Sequence, residues 1–107
     1  MACSVSAHED GRVVDNPAEE RYELWVGDDL AGQLVYRLRE DAVALIHTEV
    51  SDKFEGHGLG GKLVAGALAD IRERGLRLIP ICPFVRAYLE RHPEQADIVA
   101  PRAPQPR

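Results

Sequence analysis

The sequence predicts one small domain of mixed α/β (α+β) class, with a mainly antiparallel sheet and the element order β-β-β-α-β-α. Two observations carry that expectation: apolar residues alternate with period two in the front half and switch to a helical period in the back half. A third marks the changeover, where Gly56, Gly58, Gly60 and Gly61 stand between the two patterns. A chain of 107 residues supports a single hydrophobic core but falls short of a complete doubly wound nucleotide-binding domain.

Taken in order, residues 1 to about 18 are polar, lack periodicity and include Asn16-Pro17, so they read as an arm entering the first strand. Arg21 to Val26 alternates around Tyr22, Leu24 and Val26, and Gly27-Asp28-Asp29 is a turn signal. Leu30 to Arg39 is the partner strand, with Leu34, Tyr36 and Leu38 on one face. Glu40-Asp41 turns the chain into a third strand, Ala42 to Val50. Strict alternation there puts Val43, Leu45, His47 and Glu49 on one face. A helix from about Leu59 to Arg74 buries the stripe Leu63, Val64, Ala67, Leu68 and Ile71, and Gly75 stops it. Leu76 to Cys82 is a buried strand, parallel to the third because a helix crosses between them. Pro83 opens a last helix through about His92. The domain is expected over 12–99, after a flexible arm at 1–11 and before a disordered tail at 100–107 with three prolines in its last seven residues.

Composition excludes several classes of function. Hydrophobic residues make up 45% and the formal net charge is −5, which argues against nucleic-acid binding by bulk electrostatics and is compatible with an amine substrate. The four histidines and two cysteines never fall at zinc-ligand spacing, so no metal is expected. With no signal peptide and no apolar span of membrane length, the chain reads as cytoplasmic and reduced, without a membrane partner.

The segment Glu55-Gly56-His57-Gly58-Leu59-Gly60-Gly61-Lys62 is an expected anion cradle. Glycines let the backbone close on a ligand, and the helix that follows points its positive dipole end at phosphate. Gly56, Gly58 and Gly61 satisfy G-x-G-x-x-G, but the tight strand-to-helix turn and the later acidic residue of a dinucleotide site are missing. Gly56 to Lys62 also spells G-x-x-x-x-G-K, yet Leu63 stands where a P-loop needs a magnesium-binding hydroxyl. A third reading, x-x-x-G-x-G with Gly58 and Gly60 opening the helix, resembles the pattern of acetyltransferases that hold the pyrophosphate arm of coenzyme A.

His47-Thr48-Glu49-Val50, Gly56 to Gly60, Ile79 to Val85 and Tyr88 to Glu94 together resemble the small, minimal branch of the GCN5-related N-acetyltransferases, over roughly Val14 to Asp97. The resemblance implies an acyl-CoA N-acyltransferase-like fold and acetyl-CoA as the coenzyme. It also implies a small-molecule or peptide amine as acceptor, in a monomer or a homodimer. Val50, Glu55, Gly56, His57, Gly58, Leu59, Gly60, Gly61 and Lys62 are then the coenzyme-binding candidates. Glu55 departs from the wider superfamily, which has Gln or Arg there, and weakens the cradle by one contact.

Acetyl transfer needs a deprotonated amine, a polarised carbonyl and a protonated leaving thiolate. His47 is the candidate general base, with Glu49 as its carboxylate neighbour. Cys82, closing the fourth strand, is a candidate nucleophile or acid for the thiolate. Tyr88 reads as core and Cys3 as an unstructured thiol. Two functions stay open: an acetyltransferase, and a coenzyme-binding interaction module that kept the fold without turnover.

Overall fold

The computed structural model describes residues 11–54 and 58–100. Expectations for the arm at 1–10, for Glu55, Gly56 and His57, and for the tail at 101–107 lie outside the described residues. Five strands form a single sheet in sequence order: β1 (Arg12–Asn16), β2 (Arg21–Val26), β3 (Asp29–Leu38), β4 (Ala42–Val50) and β5 (Arg77–Pro80). The first four are an antiparallel meander, and β5 joins β4 in parallel. Helix α1 (Leu59–Glu73) makes that crossover and α2 (Pro83–Arg91) follows β5. The fold class expected from the sequence is the one observed, with one strand added. Residues 12–16, read as part of a non-periodic arm, pair along β2 from Arg12 opposite Trp25 to Asn16 opposite Arg21. Partner hydrogen bonds, invisible to periodicity, make that strand.

Both helices lie on one face. Leu59, Leu63, Val64, Ala67, Leu68 and Ile71 of α1 are buried in the same cluster as Tyr22, Leu24, Leu34, Tyr36, Val43, Leu45 and Leu78 of the sheet and Val85 and Tyr88 of α2. Each fully buried side chain of this kind contributes about 1.5–3 kcal/mol. Polar tips at the edge of the core fix the pose of α1. The Tyr22 hydroxyl donates to Asp70 at 2.8 Å, and Tyr36 donates to Asp15 at 2.6 Å. Arg74 links both carboxylates, through Nη2 to Asp15 and Nε to Asp70. Burial first, then the bonds to the carboxylates, raise both tyrosine pKa values well above the ordinary range.

One irregularity decides how the end of β4 faces. Val35 pairs with His47 but the next residue, Tyr36, pairs with Leu45, so Ile46 is an extra residue on β4. A bulge of this kind reverses the alternation beyond it. Leu45 packs in the core, whereas after the bulge it is Thr48, opposite buried Leu34, that takes the helix side. The expectation that His47 and Glu49 share a face with Val43 and Leu45 is therefore corrected: they stand on the opposite face.

That opposite face carries a polar row. Glu23, with only 8% of its side chain exposed, accepts hydrogen bonds from Asn16 Nδ2 at 2.9 Å, Arg21 Nε at 2.8 Å and Trp25 Nε1 at 3.0 Å. The Asn16 amide, with Trp25 and Arg21, holds its carboxyl below the ordinary glutamate range, against burial, which pushes it up. A depressed folded-state pKa adds stability that is complete above the ordinary value of 4.5 and is lost as pH falls through the lower folded value. Glu23→Gln is expected to cost about 1–3 kcal/mol in urea unfolding at pH 7. Its deficit against the wild type is expected to shrink as the titration is repeated below pH 4.5; a deficit independent of pH would contradict the assigned bonds.

Candidate functional site

Pairing between β4 and β5 stops at one carbonyl. Leu45 lies opposite Pro80 in the last matched position, and its C=O then accepts from both Ile81 N–H at 3.1 Å and Cys82 N–H at 2.9 Å. From there β4 runs on to Val50 while the other chain turns into α2 at Pro83. Among the described residues no backbone hydrogen bond joins 46–50 to the β5 side. The strands thus part, and the β4 edge keeps unpaired peptide groups beside the gap.

A cleft of ≈490 Å³ fills the helix side of this gap. Thr48 and Val50 form its β4 wall, Gly58 to Gly61 its floor, and Phe54, Phe84 and Arg91 its rim. Helix α1 begins at that floor, with Gly58 at φ +73° and no side-chain cap. Its first turn holds no acidic residue, and the first internal bond found is Lys62 N–H to Gly58 C=O at 3.3 Å. The N–H groups ahead of it have no acceptor within the helix and belong to residues that line the cleft, and the helix dipole favours an anion there. Glycine matters at two positions. A side chain at Gly58 would meet nothing within 4 Å but would sit in the left-handed region, and a Cβ at Gly60 would come within 2.8 Å of the Phe84 ring. The donor set suits a pyrophosphate, and Arg91 adds a cation at the rim.

The structure brings together Val50, Gly58, Leu59, Gly60 and Gly61 of the sequence-derived coenzyme candidates. Lys62 is exposed in the first turn of α1 and outside the cleft lining, while Glu55, Gly56 and His57 lie outside the described residues. Cys82 is buried as the residue preceding α2, and its Sγ lies 3.3 Å from Thr48 Oγ1 across the gap, where either atom can donate. His47 and Glu49 pair on the far side, Nε2 to Oε2 at 3.1 Å, both well exposed. A wider hollow of ≈670 Å³ shares Thr48 and Val50 with the cleft and is lined also by Gln33, Glu49 and Asp52. This second hollow is lined by β3, β4 and the turn after β4, and His47 lines neither of the two.

Sequence reasoning missed Thr48 and Arg91. Strict alternation assigned Thr48 to the wrong face; the consecutive apolar pair Leu45-Ile46 was the available sign of a bulge. Arg91 reaches the rim because α2 lies across the start of α1, a tertiary fact without local signal.

A family model described as GCN5-related N-acetyltransferase matches residues 21–98. The solution structure of a Staphylococcus aureus protein described as GCN5-like superposes with a TM-score of 0.64 at 27% identity, covering 83% of this chain and 87% of that one. An acetyltransferase from Bacillus subtilis, in complex with CoA, overlaps more loosely, with a TM-score of 0.47, 24% identity and coverage of 71% of this chain and 46% of that one. Ard1 from Thermoplasma volcanium gives a TM-score of 0.49 at 18% identity, covering 73% and 52%. No curated protein sequence matches the chain.

The two glycines separate strain from clash. Gly58→Ala is expected to cost about 1–2 kcal/mol in chemical unfolding, the penalty of a left-handed backbone carrying a Cβ. Gly60→Ala is expected to push the Phe84 ring aside, moving its ring resonances in NMR spectra and leaving those of Tyr22 and Tyr36 in place. Unmoved Phe84 signals would mean that the ring does not pack over the helix start.

Proposed function

The chain belongs to the GCN5-related N-acetyltransferase family, and we propose that it transfers the acetyl group of acetyl-CoA to the amine of a small molecule or peptide. The observation that carries this reading is the gap between β4 and β5 beyond Leu45, opening beside a helix start with no side-chain cap. Gly58 to Gly61 and Arg91 hold the pyrophosphate, and the free edge of β4 from Ile46 to Val50 offers peptide groups to the extended amide-bearing arm, as an added strand would take them. Acetyl-CoA supplies the activated thioester. The residues of the helix-side cleft would hold the coenzyme, and His47 and Glu49, on the opposite face, would meet the acceptor amine.

The acceptor enters as the free amine; its nitrogen forms a bond to the carbonyl carbon as the carbon–sulfur bond breaks, and His47 takes the one proton that the nitrogen loses. The departing sulfur keeps the electron pair and takes a proton from solvent, or from the Cys82 thiol that Thr48 Oγ1 contacts at 3.3 Å, which in turn regains one from solvent. Cys82 as an acyl acceptor is the weaker course. Its side chain is buried at an apolar strand end, and its one hydrogen-bond partner among the described residues is a neutral hydroxyl. A second reading, a coenzyme-binding module without turnover, draws support from the acceptor face, where no helix among the described residues supplies a facing wall.

Coenzyme choice is tested by thermal unfolding. Acetyl-CoA or CoA at 100 times its dissociation constant is expected to add about 2.7 kcal/mol of stability, whereas ATP and NAD add none; a larger shift with NAD would sink the assignment. The chemistry is tested by mass spectrometry and steady-state rates across a panel of primary amines. Incubation with acetyl-CoA alone is expected to leave the protein unmodified. His47→Ala is expected to lose a hundredfold or more in kcat, on the order of a general base's contribution, at unchanged coenzyme affinity. An acetyl adduct that disappears in Cys82→Ser would establish the acyl-enzyme course instead, and binding without acetylation of any amine would favour the module.

A further inference from the structure

The face opposite the helices holds a row of hydrogen bonds whose polarity can be fixed from chemistry alone. Glu23, Gln33 and Glu49 lie side by side across β2, β3 and β4, and Arg21, Val35 and His47 form the next row. Arg21 bridges the rows. Its Nε donates to the buried Glu23 at 2.8 Å and its Nη1 meets Gln33 Oε1 at 2.7 Å. Gln33 Nε2 meets Glu49 Oε1 at 3.2 Å, and Glu49 Oε2 meets His47 Nε2 at 3.1 Å. A guanidinium has donors only, so the Gln33 atom facing it is the carbonyl oxygen; the amide nitrogen is then left for Glu49. A carboxylate only accepts, so the ring nitrogen facing Glu49 must carry a hydrogen. Each link dictates the next.

We infer that Arg21 and Gln33 are positioning residues that act through Glu49 to hold His47 in the Nε2–H tautomer, so that Nδ1 is the nitrogen that takes the acceptor's proton. This rests on the reading of His47 as the general base. Nδ1 has no hydrogen-bond partner among the described residues, as a base awaiting a proton requires. The pair itself is too exposed for its ion pairing to add much stability; what the row supplies is orientation. Without it, two exposed side chains on one strand have several rotamers and the ring has two tautomers. Glu23 anchors the row because it is buried and holds Arg21 from beneath, and Gln33 is the one member able to accept from Arg21 and donate to Glu49 at once.

Gln33→Glu tests the inference with little change of shape. The new carboxylate still accepts from Arg21 but has nothing to donate to Glu49, so a merely structural role for Gln33 would survive it. Long-range proton–nitrogen NMR correlation on the uniformly labelled full chain, with His47 assigned by its loss in His47→Ala, reads the tautomer without any turnover. The wild-type neutral imidazole is expected to carry hydrogen on Nε2 alone, and Gln33→Glu and Gln33→Met are expected to show mixed tautomers. In kinetics both variants are expected to lose about ten- to a hundredfold in kcat, the range for a misplaced catalytic group, with an unchanged KM for acetyl-CoA. An Nδ1–H tautomer in the wild type, or a single Nε2–H tautomer with wild-type kcat in Gln33→Glu, would overturn the inference. Wild-type rates in His47→Ala would overturn the base assignment on which it stands, whereas a rate lost in His47→Ala but kept in Gln33→Glu overturns only the positioning row.

Discussion

The carbonyl of Leu45 is the pivot of the molecule. By accepting from Ile81 and Cys82 together it ends the β4–β5 ladder, and everything beyond follows from an edge left unpaired. Two consecutive donors converge on one acceptor when the donating chain turns out of the strand direction, here into α2 through Pro83. Immediately after this point Ile46 forms the bulge. Closing the ladder and reversing the alternation within two residues gives the gap two walls from one strand. Thr48 and Val50 face the helices, and His47 and Glu49 face away.

The helix layer holds the other half of the cleft at the correct place. Burial of the α1 stripe against all five strands fixes the helix axis. The clamp of Tyr22, Asp70, Arg74, Asp15 and Tyr36 fixes its C-terminal half to β1, β2 and β3. Its N-terminal turn, with no acidic residue and no side-chain cap at Gly58, thereby lies at the cleft. Packing energy spent far from the cleft thus sets the direction of a dipole within it. The opposite face is organised by a different force. Among the described residues no helix covers it, and charge-assisted hydrogen bonds centred on Glu23 hold the sheet there.

Much of this was legible in the sequence. The period change marks the meander and the helix, because amphipathic burial imposes period two on a half-covered sheet and a 3.6-residue period on a packed helix. Glycines at 58, 60 and 61 mark the helix start, where Gly58 takes a left-handed backbone and a Cβ at Gly60 would meet the Phe84 ring. The strand Arg12–Asn16 was hidden, since an edge strand whose side chains are mostly exposed or half-buried carries little alternation to detect.

By itself the sequence determined the class of fold, the glycine-rich start of the first helix and the residue types available for chemistry, because these depend on local pattern and on backbone freedom. Only the tertiary structure decided which face each side chain of β4 takes, since a bulge is a choice made jointly by two strands and one inserted residue turns every later side chain over. The same holds for the contact between Thr48 and Cys82, for Arg91 at the rim of the cleft, and for the row from Glu23 to His47. Those residues are separated along the chain by the turns and helices that fold them together, and their meeting has no sequence period.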